Sequence, residues 1–156
     1  VSTRAFYATF GSKEACFVAG FDLRARDVVA RARTACAATH GSWEERVGAG
    51  LTSIMGDLAA DPAYARFCTV EVMRAGPDAE DRLRSVITEC QRIFDAVRVQ
   101  DQRCPQLEDP LASMPVGAIL QPVAAYVRGG RADRLPEMVP TFVRFLSRML
   151  PAAPVA

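Results

Sequence analysis

Helical periodicity is the sequence feature that most limits the fold of this chain. Apolar residues recur at intervals of three and four along nearly the whole sequence, and no run alternates between apolar and polar residues. Hydrophobic residues make up 50% of the 156 residues, which is enough for a packed core at this length. The sequence therefore predicts an all-α protein without β-strands.

Capping signals mark where most of the predicted helices begin. A long helix follows the capping residue Ser12, and Ser42 and Glu45 have the spacing of a capping box at the start of the next helix. Asp61-Pro62 predicts a shorter third helix, because aspartate caps well and proline suits the first turn. Pro77 begins a further long helix with a clear apolar face.

The carboxy-terminal third is predicted to hold one long loop and two more helices. The loop is the polar, proline-containing stretch 103–110. One helix then covers residues 110–128, where Pro115 and Pro122 favour a kink or an irregular start. The last helix is predicted from about residue 134 to residue 150.

Charge, cysteine and histidine content exclude several classes of protein. A net charge of +1 argues against a broad surface for binding polyanions. No run approaches the ~18 consecutive apolar residues of a membrane span, and no secretory signal is present, so we expect a soluble, cytoplasmic protein without a membrane partner. The five cysteines are unevenly spaced and His40 is the single histidine, most simply a loop residue. We therefore predict no metal site, no cofactor and no catalytic residues, and hence no enzyme.

The opening residues carry a more specific pattern. Val1-Ser2 is followed by the aromatic pair Phe6-Tyr7, then by Phe10 three residues after Tyr7 and by Lys13 three residues later. This segment, through Phe17, closely resembles the recognition helix and the start of the following helix in TetR-type bacterial transcriptional regulators. The phrases Asp61-Pro62-Ala63, Ala75-Gly76-Pro77 and Gly129-Gly130-Arg131-Ala132-Asp133 also resemble family members.

The resemblance implies a fold and a function for the whole chain. Residues 1–20 would be the carboxy-terminal part of a helix-turn-helix DNA-binding domain, and residues 21–156 a helical ligand-binding and dimerisation bundle. The function implied is that of a homodimeric regulator, expected to be a repressor, that leaves its palindromic operator DNA when a small, mostly apolar effector binds. In the family two further helices precede the recognition helix, and this sequence starts at Val1 without an initiator methionine. We therefore expect an incomplete amino terminus and weak DNA binding by the chain alone.

Three residues are predicted to contact base edges. The amino-terminal part of a recognition helix faces the major groove, which corresponds here to Ser2, Thr3 and Arg4. The hydroxyl residues are small enough for close approach, and the Arg4 guanidinium can bond to guanine acceptors.

Three more residues are predicted to contact the DNA backbone. The resemblance assigns Tyr7 and Lys13 to phosphates, and both side chains are suitable hydrogen-bond donors. Thr9 would flank them, although the family most often has histidine or tyrosine there, so its phosphate contact is expected to be weaker or shifted. The simpler interpretation of Lys13, the single lysine, is a solvated surface residue.

The resemblance places an effector cavity among the helices that begin at Ser12, Ser42 and Pro77, with the helix from Pro110 as one wall. An apolar lining with a few polar residues is typical of such pockets. The predicted lining residues are Leu51, Met55, Leu58, Phe67, Glu71, Ile87, Cys90, Gln91 and Phe94. For any single one of these, ordinary core packing is the simpler interpretation.

Glu71 stands out among these residues because its neighbours Val70, Val72 and Met73 are apolar. Three positions are open to its carboxylate: in solvent, bonded to an arginine such as Arg74 or Arg92, or inside the cavity.

The last two helices are predicted to form a dimer interface. The apolar face of the final helix is broader than one neighbouring layer can cover, and a large exposed apolar patch is unfavourable on a monomer. A two-fold four-helix bundle would bury it. The residues assigned to this interface are Ile119, Val123, Val127, Phe142, Phe145 and Met149.

An alternative function needs no DNA. An all-helical module that binds small molecules or only dimerises would explain the amphipathic helices but not the opening pattern. Ligand-dependent protection against heat would separate a binding module from a bare scaffold.

Overall fold

The computed structural model describes residues 8–100 and 114–149. Within these ranges the chain is helical and contains no strand, which confirms the predicted all-α class. No helix in the described ranges is long and apolar enough to span a membrane. The predicted DNA contacts Ser2, Thr3, Arg4 and Tyr7, and the predicted loop 103–110, lie outside these ranges.

Six α-helices form the described fold, together with one π-helical and two 3₁₀ segments. The α-helices are α1 (Lys13–Ala38), α2 (Trp43–Ala60), α3 (Pro62–Arg66), α4 (Pro77–Val99), α5 (Met114–Arg128) and α6 (Val139–Met149). A π-helical segment, Phe67–Glu71, and a 3₁₀ segment, Val72–Arg74, separate α3 from α4. A second 3₁₀ segment, Ala132–Met138, leads into α6.

The predicted caps are confirmed. The Ser12 hydroxyl accepts a hydrogen bond from the Ala15 amide at 2.9 Å. In the capping box, the Glu45 amide donates to Ser42 Oγ at 3.3 Å, and the Ser42 amide donates to Glu45 Oε2 at 2.8 Å. Asp61 Oδ1 caps α3 by accepting from the Tyr64 amide at 2.9 Å. These side chains satisfy amides that a helix start leaves without intrahelical partners.

Removal of the Ser42 hydroxyl tests one of these caps. Ser42→Ala is expected to lower the free energy of unfolding by about 1 kcal/mol, because the Glu45 amide loses the hydroxyl that accepts its hydrogen bond. Urea denaturation measures the change. Ser85→Ala, at an exposed mid-helix position in α4, is the matched control and should leave stability unchanged or slightly raised. Equal effects at both positions would contradict the assignment.

The start of the last helix was predicted wrongly, and one irregular helical segment was not predicted. The last helix was expected to be continuous from about residue 134, but residues up to Met138 are 3₁₀ and the α-helix starts only at Val139. Pro136 has no amide proton and disrupts regular α-helical bonding there, whereas Pro140 is tolerated in the first turn of α6. The π-helical segment Phe67–Glu71 had no counterpart in the prediction.

Two glycines occupy backbone conformations that other residues rarely adopt. Gly130, with φ of 68°, ends α5 in a Schellman arrangement: its amide donates to the Val127 carbonyl at 3.1 Å, and the Arg131 amide donates to the Tyr126 carbonyl at 3.0 Å. Gly76, with φ of 118°, precedes α4 and has no side chain to cap it. The Glu14 carboxylate of α1 supplies that cap by accepting from the Asp78 amide at 3.2 Å.

The main core lies where α2, α5, α6 and the second 3₁₀ segment meet α1. Trp43, Leu135 and Leu146 are among its most buried side chains, at 3%, 0% and 0% exposure. A second cluster, built on Phe21, Val72 and Leu83, joins α1 to α4. The domain boundary predicted between residues 20 and 21 falls inside the continuous helix α1.

Most of the predicted dimer residues belong to this core. Ile119, Val123, Val127 and Phe142 are between 2% and 8% exposed within a single subunit, where they pack against other helices of their own chain. This leaves little of their surface for the predicted interface, which stays a prediction. Phe145 and Met149 are each 37% exposed and remain accessible.

Candidate functional site

An apolar cavity of about 180 Å³ lies between α1, α2, α4 and α5. Helix α1 contributes six of the lining residues, Phe21, Ala25, Val28, Val29, Ala32 and Cys36. These positions follow the three- and four-residue spacing of one helix face, which packs toward the interior. The four helices are those predicted to surround an effector cavity.

Six of the nine predicted effector residues line this cavity. They are Leu51, Met55, Leu58, Ile87, Cys90 and Phe94. They come from α2 and α4, whose apolar faces oppose each other across the space. Whether they bind an effector remains a prediction.

The other three predicted residues do not line the cavity. Phe67 packs its ring on Phe17, with centroids 4.0 Å apart, and near Phe21 at 6.3 Å. Glu71 Oε1 forms an ion pair with Arg66 Nε at 2.9 Å. Gln91 is buried but is absent from the cavity wall. Their placement in the lining was therefore wrong.

Several cavity residues were missed by sequence reasoning. Ile119 and Val123, which had been assigned to the dimer interface, line the cavity. Tyr64, Cys68 and Thr69 also line it, from α3 and the π-helical segment. The spacing of Tyr64 and Cys68 by four residues was a signal that both share one face.

The cavity wall contains no Asp, Glu, Lys, Arg or His side chain among the described residues. Its polar side-chain groups are the thiols of Cys36, Cys68 and Cys90 and the hydroxyls of Tyr64 and Thr69. The Thr69 hydroxyl donates to the Ala65 carbonyl at 2.7 Å. Tyr64 and Cys68, four residues apart in the chain, both line the cavity, and these neighbours are called the Tyr64–Cys68 pair below.

Burial keeps the three cavity thiols protonated. It raises the pKa of Cys36, raises that of Cys68 to about 12 and raises that of Cys90 to about 11. Burial also raises the pKa of Tyr64, and the adjacent Cys68 adds to this effect. The cavity wall formed by the described residues is therefore neutral over the physiological pH range, with its three thiols protonated.

Alkylation rates test this conclusion. Because the thiolate is the reactive form, Cys90 should react with iodoacetamide at about pH 8 roughly 200-fold, and Cys68 roughly 2,000-fold, more slowly than free cysteine, whose pKa is about 8.5. Mass spectrometry of peptides over time measures each site. In guanidinium chloride both thiols should react at the rate of free cysteine. Equal rates in the folded and unfolded chain would contradict their burial.

Tyr64 is fixed from the solvent side by charged residues. The Arg24 guanidinium lies 4.7 Å from the centre of the Tyr64 ring and pairs with Asp61 at 3.3 Å. The cation–π contact and the ion pair both hold the Arg24 side chain in place. Together they join α1 to the start of α3 beside the cavity.

Two predicted DNA contacts lie in the described part of the chain. Thr9 is exposed within the helical residues 8–10, and Lys13 is the exposed first residue of α1. The Ser12 cap marks the start of α1, directly after this segment. Cavity and opening segment are therefore connected by one helix.

The described residues contain no group of three or more His, Cys, Asp or Glu side chains that could hold a metal ion. Comparisons with protein-family models, curated proteins and solved structures found no match for this chain.

Proposed function

We propose that the chain is an effector-responsive, DNA-binding transcriptional regulator, acting as a repressor that a small apolar ligand releases from its operator. One observation carries the proposal: α1 lines the cavity with six side chains and begins immediately after the segment that resembles a recognition helix. A ligand that favours one tilt of α1 would therefore alter how that segment is presented to DNA.

Contacts near the start of α1 support this coupling. Phe17 packs on Phe67, whose neighbour Cys68 lines the cavity. Asp22 pairs with Arg82 of α4 at 2.8 Å, and Glu14 caps α4. The amino-terminal half of α1 is thus attached to two elements of the cavity wall. A hundred-fold change in DNA affinity requires a coupling free energy of only about 2.7 kcal/mol.

The proposal includes a homodimer. Phe145 and Met149 are one turn apart on α6 and are both accessible, so a second copy could cover them. Two subunits would present two recognition helices to a palindromic operator. Sedimentation equilibrium at micromolar concentration tests this part, and a purely monomeric chain would contradict it.

The alternative is a helical small-molecule-binding module that does not bind DNA. It is favoured by the fact that the described cavity wall runs from Phe21 to Leu146 and includes none of residues 8–17. Such a module would bind apolar ligands as the regulator would. DNA binding distinguishes the two functions.

The DNA experiment uses a longer chain that supplies the two helices which the resemblance implies ahead of Val1. Selection from random duplexes, followed by fluorescence anisotropy at two salt concentrations, should yield a palindromic site whose affinity falls steeply with salt. Arg4→Ala should relax sequence preference, whereas Lys13→Ala should weaken all sites evenly. If neither substitution changes binding, the assignment of the opening segment is wrong. If no duplex binds, the alternative function is favoured.

A further inference from the structure

We infer that the cavity takes a neutral ligand about the size of one substituted aromatic ring, mostly hydrocarbon, whose single hydroxyl group hydrogen-bonds to the Tyr64–Cys68 pair. This inference rests on the proposed effector site and specifies its ligand class. Three properties of the cavity carry it: its volume, its lack of charge and the position of its polar groups.

The volume limits the ligand to a small molecule. The cavity measures about 180 Å³. Apolar cavities of roughly 150 Å³ bind benzene, whereas pockets for drug-sized ligands begin near 300 Å³. A single ring with one or two small substituents matches this space, and a fused polycyclic ligand does not.

The lining excludes a charged ligand. Among the described residues, the wall has no ionisable Asp, Glu, Lys, Arg or His, so a buried carboxylate or ammonium group would have no partner of opposite charge there. Transfer of an unpaired charge into such surroundings is strongly unfavourable. The ligand must therefore enter in its neutral form.

The Tyr64–Cys68 pair offers the cavity's best hydrogen-bonding position. The Thr69 hydroxyl already donates to a backbone carbonyl of its own helical segment. Tyr64 lines the cavity, and a tyrosine hydroxyl has one proton to donate and can also accept, so it can bond to a ligand hydroxyl in either direction. A ligand hydroxyl beside Tyr64 would form a hydrogen bond with the Tyr64 hydroxyl, while the aromatic ring of the ligand contacts the apolar cavity wall.

The protein contains its own optical probe of the cavity. Trp43 is the single tryptophan of the sequence and is 3% exposed. Its ring meets that of Phe94 edge-on, with centroids 6.1 Å apart, and Phe94 lines the cavity. A ligand that displaces Phe94 should therefore change the emission of Trp43.

The test compares three probes of similar shape: toluene, p-cresol and 4-methylbenzoate. Titrations of the full chain are followed by Trp43 fluorescence and by calorimetry. Toluene and p-cresol should bind and displace each other, and 4-methylbenzoate should not bind. Tyr64→Phe should raise the Kd for p-cresol about ten-fold and change that for toluene by less than about two-fold. Tyr126→Phe, a tyrosine outside the cavity wall, is the matched control and should change neither value.

Each contrary result has a distinct meaning. Binding of 4-methylbenzoate, or equal effects of Tyr64→Phe on p-cresol and toluene, would overturn the inference about ligand class and leave the effector cavity in place. If neither neutral ring compound binds, both the inference and the proposed effector site fail. Bound ligand that leaves operator affinity unchanged in the longer chain would contradict the proposed regulation alone.

Discussion

Replacement of Leu135 by alanine is expected to lower the free energy of unfolding by about 2–5 kcal/mol. Leu135 is completely buried in the main core and belongs to the 3₁₀ segment that precedes α6. Truncation removes buried methyl groups and leaves a void that the surrounding helices fill only in part. Urea or thermal denaturation measures the loss.

Leu23→Ala provides the matched control for this substitution. The chemical change is the same, but Leu23 lies on α1 with 68% of its surface exposed. Its effect should stay within about 0.5 kcal/mol. Similar losses at the two positions would mean that Leu135 is not a core residue.

Gly50→Ala is expected to destabilise the protein by about 1–3 kcal/mol, although alanine is the better helix former. Gly50 lies in α2 where that helix crosses α1, and an added Cβ atom would come within 2.5 Å of Cys36 Sγ. Cys36 is 5% exposed, so its thiol has little room to move. Either the Cys36 thiol must rotate within the core or one of the two helices must shift to admit the methyl group.

Two further variants separate this clash from a general effect of glycine replacement. Gly56→Ala, in the same helix with no atom within 4 Å of the added Cβ, should raise stability by about 0.5–1 kcal/mol. Gly50→Ala combined with Cys36→Ala should be less destabilised than the sum of the single changes, because the colliding atoms are gone. Strict additivity would show that the α1–α2 contact is looser than described.

Local signals predicted the helix starts well. The Ser42–Glu45 box and the Asp61 cap depend on residues within four positions of each other, so the sequence contains all that determines them. The choice of packing partner is not local. An apolar face identifies what a helix buries but not which helix covers it, and so Ile119 and Val123 were assigned to a second subunit instead of the cavity.

Glu71 shows a different limit of sequence reasoning. Its partner was sought three residues ahead at Arg74, or at Arg92, but the structure pairs it with Arg66, five residues earlier. In the π-helical segment Phe67–Glu71 the bonding repeat is five residues, which brings positions five apart onto one face. The wider repeat has no strong sequence signal, so neither the segment nor its ion pair could be predicted.

The Glu14 cap links the ends of two helices that are far apart in sequence. The Asp78 amide receives its side-chain partner from a residue 64 positions earlier, since Gly76 has none to offer. When the first turn of α1 unwinds, that amide is released to water and its proton becomes open to isotope exchange. Deuterium uptake at the Asp78 amide, in the middle of the sequence, thus reports the unwinding of a helix turn 64 positions earlier.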